Sequence, residues 1–338
     1  MEKRFANGLT MGSEYEVRIL SRDEYPLWDE LVIKSPQGTI FHLSKWIIKC
    51  AELISKNEII YGFFKNGALV AGCSIYSGKI LSFLSLATST APMTPYGGYV
   101  FAPFESSKVR ENELQYKKVI SAINSEIERR YEYINIVNSP EIRDIRPFSW
   151  NGWKTNIYYT YSFKLDNKVE DNVSRNVRRT VNKAKKLGIT VKKECDPYLY
   201  YHLNCKTYEK QHLKSPVSKK FLINMIDFII STNIGEMWIA RTPDGDPVAA
   251  EIIIWDNKCA HRWSAASDPQ FNDTGAISFL LIEIFKDLQK RGFNKINLMA
   301  GNTLHLTKFI SSFNPDLVPY YGLKISYRIG KICNLFFE

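Results

Sequence analysis

The stretch DNVSRNVRRTVNKAKKLGITV, residues 171–191, joins an amphipathic helix to a strand and carries a dense cationic face. Val173, Val177, Val181 and Ala184 recur at helical spacing, with Leu187 closing the stripe, so one side can pack on a core. Arg175, Arg178, Arg179, Lys183, Lys185 and Lys186 occupy the remaining surface. Asp171 or Asn172 is placed to cap the helix N-terminus, and Gly188 to end it before a strand at 189–193. No acidic residue lies between 172 and 193. A solvated helix face usually mixes both signs for i,i+4 pairing. The unmixed face therefore has two readings, plain solvation or a surface for phosphates or another polyanion.

The rest of the chain bounds what such a surface could serve. A length of 338 residues suits two domains of ordinary size. Apolar content of 45% describes a globular chain and excludes a disordered one. Lys and Arg number 45 against 35 Asp and Glu, a net charge of +10 that fits an anionic partner: nucleic acid, a phosphorylated small molecule or an acidic membrane surface. The 6 cysteines are scattered without a C-x-x-C pair, and the 5 histidines lack H-x-x-x-H spacing, so no metal site and no disulfide framework is expected. The polar N-terminus has no signal-peptide pattern, and no apolar run approaches the ~20 residues that span a bilayer. A soluble, cytoplasmic protein is the expectation, with membrane contact limited to a transient surface encounter.

Working outward, residues 1–14 read as a flexible tail. A strand at 15–20 and helices at 22–33 and 41–53 precede 58–80, a hairpin whose Lys65-Asn66-Gly67 turn sits between two apolar runs. A strand at 80–86, the Pro/Gly-rich loop PMTPYGGYVF (92–101), a helix at 113–130, a strand at 133–137 and a β segment at 147–163 complete this part. After the basic helix come helices at 198–212 and 219–230, a hairpin over 236–255 turning at Pro243-Asp244-Gly245-Asp246, and a strand at 259–266. A long helix at 274–292, a strand at 295–299, a short helix at 305–313 and a strand at 323–329 follow. The same grammar occurs twice, so the fold class is α/β (mixed α+β), two copies of one unit, each a mixed sheet flanked by helices. The division is placed at 15–165 and 166–338.

This layout resembles the peptidoglycan-bridge (FemABX-like) aminoacyltransferases and the BioF2-like acetyltransferases, both of the GNAT acyltransferase group. The motifs that carry the likeness are F-x-x-S-x-W at 41–46, PYGGYV at 95–100, SRNVRRTVNKAKKLGITV at 174–191, YHLNCKTYEKQHLKSPVSKKFL at 201–222, and GFNKINLMAGN with KFISSFNPDLVPYY over 292–321. The resemblance implies two tandem GNAT-like domains and acyl transfer to an amine. The donor is then acyl-CoA (acetyl-CoA) or aminoacyl-tRNA, without a metal, and the acceptor an anionic or phosphorylated small molecule related to the cell envelope, with tRNA as a further partner. It departs at Ile310, where the family's F-K-x-x-F-N helix has its lysine; the nearest base, Lys308, is rotated away by roughly 200°. That departure argues against a strict copy of tRNA-dependent chemistry and leaves ordinary acyl transfer open.

Acyl transfer needs a deprotonated amine, an activated acyl group and stabilisation of the developing oxyanion. Glu251 lies inside the apolar strand VAAEIIIW (248–255), where a buried carboxylate is costly unless paired or functional. It reads as a general base with a raised pKa, as an alternating residue on an exposed strand face, or as the partner of Arg262 across the hairpin. His261 is a second acid–base candidate or a structural histidine. Thr274, Gly275 and Ala276 open the long helix as a degenerate form of the GNAT acetyl-CoA loop, or as an ordinary cap. Arg175, Arg178 and Lys183 are candidate phosphate contacts. By the family match Tyr208 and Lys210 are candidate acceptor contacts; Asn302, after a strand end, is a candidate for the same pocket or a plain turn residue, and Lys308 is a candidate substrate contact. The competing function is a non-catalytic GNAT-like scaffold, or an RNA- or tRNA-binding module using the basic helix at 172–187. Against the latter, aromatic residues do not interleave with the bases and no RNP or KH signature occurs.

Overall fold

Asn66 and Gly67 both adopt positive φ, 50° and 80°, as a two-residue hairpin turn of type I′ requires. In the computed structural model, which describes residues 14–80, 84–104, 106–166, 169–209 and 212–327, this turn joins the two longest-paired strands of the first half. The first half contributes β1 (Tyr15–Ile19), α1 (Tyr25–Lys34), α2 (Ser44–Ile54), β2 (Asn57–Lys65), β3 (Ala68–Ile80), β4 (Leu84–Thr88), β5 (Gly98–Phe101), α3 (Val109–Glu128), β6 (Tyr133–Val137), α4 (Arg146–Ser149) and β7 (Lys154–Lys164). The second contributes α5 (Val169–Asn172), α6 (Arg175–Lys186), β8 (Thr190–Lys193), α7 (Pro197–Glu209), α8 (Lys219–Ser231), β9 (Gly235–Arg241), β10 (Pro247–Trp255), β11 (Ala260–Ser267), α9 (Ala276–Lys290), β12 (Lys295–Met299), α10 (Leu304–Ser311) and β13 (Asp316–Ser326).

All strands join one 13-stranded mixed sheet in the order β1-β2-β3-β4-β6-β13-β7-β12-β11-β10-β9-β8, with β5 paired to β3. The order reads the same from both ends if β1 is matched with β8, β2 with β9, β3 with β10, β4 with β11, β6 with β12 and β7 with β13. The last strand of each half is exchanged. β13 pairs with β6 from Gly322↔Val137 to Ser326↔Tyr133, and β7 pairs with β12 from Lys295↔Lys164 onward. The two exchanged strands pair with each other from Asp316↔Ser162 to Lys324↔Lys154.

Three large apolar cores follow from strand alternation. One lies under α3 and includes Ile120, Ile123, Phe148 and, from the exchanged strand, Leu323. A second lies between α6, α9 and α10 and includes Val177, Val181, Leu281, Phe285, Ile310 and Phe313. The third, on the opposite face, spans both halves with Trp28, Trp46, Tyr96, Tyr200, Met225 and Trp263. Polar contacts reinforce that junction. The Lys258 ammonium donates to the carbonyls of Val32, Ser35 and Gly38 at 3.1, 2.6 and 2.8 Å, and Asp256 accepts from the Ile40 N–H at 2.9 Å.

Several local expectations need correction. Ser174, whose side chain accepts from the Val177 N–H, caps α6; Asp171 and Asn172 belong to the separate turn α5. Leu187 is 46% exposed and Ile189 takes the buried place, because Gly188 at φ 73° turns the chain back first. Pro147 starts a helical turn, where its missing N–H costs nothing, so the β segment begins at Lys154. α3 begins earlier than expected, at Val109, and β13 at Asp316. Residues 1–13 of the expected tail at 1–14, and 328–329 at the end of the last strand, lie outside the described residues.

Candidate active site

β11 and β12 are parallel neighbours that pair only at Ala260↔Ile296 and His261↔Asn297, although β11 runs on to Ser267. Asn297 bends β12 away. Its buried amide oxygen accepts from the Met299 N–H at 2.8 Å and the Thr160 hydroxyl at 2.5 Å, and its nitrogen donates to the Tyr96 hydroxyl at 3.0 Å. Met299 and Ala300 then take positive φ, 56° each, a conformation that costs a non-glycine residue about 1–3 kcal/mol. Gly301 follows where a Cβ would sit 2.3 Å from the Tyr159 carbonyl oxygen. On the other side a bulge in the β10–β11 pairing leaves Trp263 unpaired with β10, and its indole N–H donates to the Met93 carbonyl at 2.9 Å.

The divergence opens a cleft of about 280 Å³. Met93, Thr94 and Pro95 come from the loop before β5, Tyr159, Thr160 and Tyr320 from the exchanged strands, and Trp263, Met299, Ala300, Asn302 and Thr303 from the second half. Tyr320 stacks on Tyr158 at 5.4 Å and meets Tyr96 edge-on at 5.7 Å. Its hydroxyl accepts from the Asn302 amide at 3.1 Å, and burial pushes the phenol up to about 12, so it stays a neutral donor at pH 7. The Asn302 oxygen accepts from the Tyr159 N–H at 2.8 Å. Among the described residues lining the cleft none is an acid, a base or a histidine.

The corresponding opening between β4 and β6 is closed. The Ser89 hydroxyl accepts from the Val137 N–H at 2.8 Å and donates to the Val137 carbonyl at 3.1 Å. Gly97 bridges to Asn138, whose side chain accepts from the Tyr99 N–H at 3.1 Å. A Cβ at Gly97 would lie 2.3 Å from the Ser89 carbonyl oxygen, so glycine is required there.

Of the residues singled out in the sequence, Asn302 lines the cleft. Glu251 is fully buried, and both its oxygens accept from Arg262, at 2.8 Å from Nε and 2.5 Å from Nη2. Burial raises its carboxyl above the ordinary range while the guanidinium acts in the opposite sense. His261 is buried with Nε2 3.3 Å from Asp256; it lines a second crevice of about 130 Å³ that shares Thr160 with the cleft. Gly275, at φ 80°, begins α9 where a Cβ would lie 2.2 Å from the Thr180 carbonyl oxygen, so α6 seats directly on this turn. The Thr274 hydroxyl accepts from the Ala276 N–H at 3.2 Å.

Arg175 and Lys183 are exposed on α6, whereas Arg178 donates to the carbonyls of Glu170, Asp171 and Val173 and fastens the preceding turn. Lys185 lies 3.9 Å from Glu170, whose nearer partner is Lys286 at 2.6 Å, so this acid outside 172–193 offsets little of the charge of α6. Tyr208 is half-buried on α7, Lys308 is exposed on α10, and Lys210 lies outside the described residues. Ile310 is fully buried in the core beneath α10, which accounts for an apolar residue there. Of the cleft residues the sequence reading missed, Tyr159, Tyr320, Trp263 and Met299 lie in strand segments, where nothing in their spacing separates a lining position from a core one, and Met93 lies in the Pro/Gly-rich loop at 92–101. Asn297, a polar residue inside KINLM, was the available signal.

Residues 171–305 match a family model described as an acetyltransferase (GNAT) domain. In fold the chain is similar to the crystal structure of FemX, at 12% identity and a TM-score of 0.66, over 90% of this chain and 96% of that one. It is similar also to the C-terminal DUF2156 domain of a protein described as a lysylphosphatidylglycerol synthetase from Agrobacterium fabrum, at 13% identity and 0.54, over 89% and 92%. A tandem GNAT protein from the clavulanic acid biosynthesis pathway aligns at 8% identity and 0.57, over 93% and 98%. No curated protein matches the sequence.

Proposed function

With an acetyltransferase (GNAT) domain over residues 171–305 as the premise, we propose that the chain is an N-acyltransferase whose cleft between β11 and β12 takes the acyl group of a thioester donor. The acceptor in this reading is an amine on a small, phosphorylated, envelope-related molecule. The single observation that carries it is the divergence of one parallel strand pair, β11 from β12, while its counterpart β4–β6 is closed.

The chemistry this favours is direct transfer. The amine nitrogen attacks the thioester carbonyl carbon, a C–N bond forms and the C–S bond breaks. The proton lost by the amine ends on the departing thiol. The developing oxyanion would be met by backbone N–H groups on the unpaired edge of β11 beyond His261, aimed where charge develops. The Tyr320 hydroxyl, oriented by Asn302, is the neutral donor available beside it. An acyl-CoA donor fits this chain: the first-turn amides of α9 have no intrahelical acceptors, and Gly275 lets α6, whose exposed face is cationic, seat directly on that turn through Thr180. Coenzyme A supplies the thioester when bound. Arg175 and Lys183 would hold phosphates, of the donor or of the acceptor. Glu251 and His261 keep a place in this reading through the β10–β11 hairpin they brace.

The likeness to FemX, and to a protein described as a lysylphosphatidylglycerol synthetase, supports an envelope-related acceptor and an aminoacyl donor as candidate classes. Among the described residues no helix is long and apolar enough to cross a membrane, and no cluster of three His, Cys, Asp or Glu is placed to hold a metal ion. Among the described residues Lys185 is the one cation of α6 with a carboxylate in salt-bridge reach, which favours a second reading, a non-catalytic module that binds tRNA. Thiol release from an acyl-CoA panel with amine acceptors, run beside thermal shifts with acyl-CoA and tRNA, decides between them, since a ligand of the native state raises its stability. Thiol release that depends on an amine is expected. Stabilisation by tRNA alone, with no release from any donor, overturns the enzyme reading.

A further inference from the structure

The walls of the cleft discriminate among acyl groups. Met93, Pro95, Tyr159, Trp263 and Met299 give it an apolar body, and its few polar groups are uncharged. Asn302 is held by Tyr159 and Tyr320, and the Thr94 hydroxyl accepts from the Trp46 indole at 3.1 Å. A cleft of about 280 Å³ is several times what an acetyl group fills, taking a water's share of about 30 Å³ as the measure of one small group. No carboxylate lines it among the described residues, so an ammonium seated there would lose its hydration without gaining a counter-charge.

The backbone adds an independent observation. Met93, Met299 and Ala300 have φ of 57°, 56° and 56°, and all three line the cleft, the first from one half and the others from the second. Among the described residues the other non-glycine positions at positive φ are Ser55, Asn66, His212, Asn233 and Asn314, mostly types that tolerate that region. Methionine and alanine do not favour it, and such conformations cluster at ligand clamps. Two methionines thus face the cleft from opposite halves, unbranched and able to repack around chains of different length.

Resting on the acyl-transfer reading, we infer that the donor carries an uncharged, apolar acyl chain longer than acetyl, measured by Met93 and Met299, and that aminoacyl groups are excluded. The bond changes are those of the transfer above: C–N forms, C–S breaks, and the amine proton ends on the thiol.

The test compares kcat/KM for acetyl-, butyryl-, hexanoyl-, octanoyl- and β-alanyl-CoA with a common amine acceptor, and the affinity of each donor by calorimetry. Butyryl and β-alanyl have the same number of heavy atoms and differ by a methyl against an ammonium. The expected result is a rise of about four-fold for each buried methylene up to the length the cleft holds, with β-alanyl-CoA at least about a hundred-fold below butyryl-CoA. Met93→Ala and Met299→Ala should move the optimum to longer chains, and Thr303→Phe should lower the octanoyl-to-acetyl ratio. If one variant fails to fold, the wild-type series and the others still decide. Turnover that is best with acetyl-CoA, or equal for butyryl- and β-alanyl-CoA, overturns this inference and leaves acyl transfer standing. No binding and no turnover of any acyl-CoA overturns both.

Discussion

Glu251 and Arg262 show how one pair of side chains bears on two roles. Both groups are almost fully buried and bonded to each other through two hydrogen bonds. Removing one partner from such a pair leaves the other charge uncompensated, a loss of about 3–5 kcal/mol. Glu251→Gln is therefore expected to lower Tm markedly, and a Glu251→Leu, Arg262→Met double variant to recover much of it. A general base would behave differently, losing rate at unchanged Tm. His42 gives the pH dependence. Burial lowers its imidazole from 6.5 to about 4, so below pH 6.5 the unfolded chain binds a proton that the folded chain does not. Stability is full above 6.5 and falls as pH drops toward 4, by up to about 1.4 kcal/mol per pH unit from this residue. His42→Asn keeps a side-chain acceptor for the Thr39 N–H and should flatten the loss of Tm between pH 7 and pH 5. The Glu251–Arg262 pairing was legible as one of three alternatives, because a carboxylate buried in an apolar strand demands a partner. The buried neutral state of His42 was not, since its environment is assembled from distant segments.

At the scale of elements, α6 was the most legible part of the chain. The Val177, Val181, Ala184 stripe is buried as its spacing requires, and the cations face outward. What its sequence did not reveal is the neighbour. α6 rests on the turn before α9 so closely that residue 275 has room only for hydrogen. Gly275→Ala should destabilise by at least about 1–3 kcal/mol from its φ alone, with a further cost as α6 shifts, read as a lower denaturation midpoint. Replacing Arg175 and Lys183 with Glu touches no buried contact, so stability should stay within about 0.5 kcal/mol. The affinity for a phosphorylated ligand should fall in the same double variant, and titration calorimetry at two salt concentrations measures it. The opening between β11 and β12 was invisible in sequence for a plain reason. It is made by a side-chain hydrogen bond, a bulge and two positive φ angles, none of which changes hydrophobic periodicity.

For the whole molecule, the repeated grammar of helices, hairpin, strand, helix and strand was readable twice, and the α/β sheet it implied is present. The exchange of β7 and β13 was not readable, because either strand carries the alternation needed in either position. It makes the first half dependent on the second. A fragment of residues 14–165 lacks the strand that covers β6 and the residue, Leu323, that fills the core under α3. Expressed alone it should show no cooperative thermal transition, and joining it to the remainder in trans should restore one, both followed by circular dichroism. The same exchange governs timing at the ribosome. Between the emergence of β6, which ends at Val137, and of β13, which ends at Ser326, roughly 10–40 s of synthesis elapse at about 5–20 residues per second. Throughout that interval the edge of β6 waits with its N–H and C=O groups open to any other strand. The fold thus trades a sealed interior for a long exposure before completion, and the nascent chain is where chaperones would be needed most.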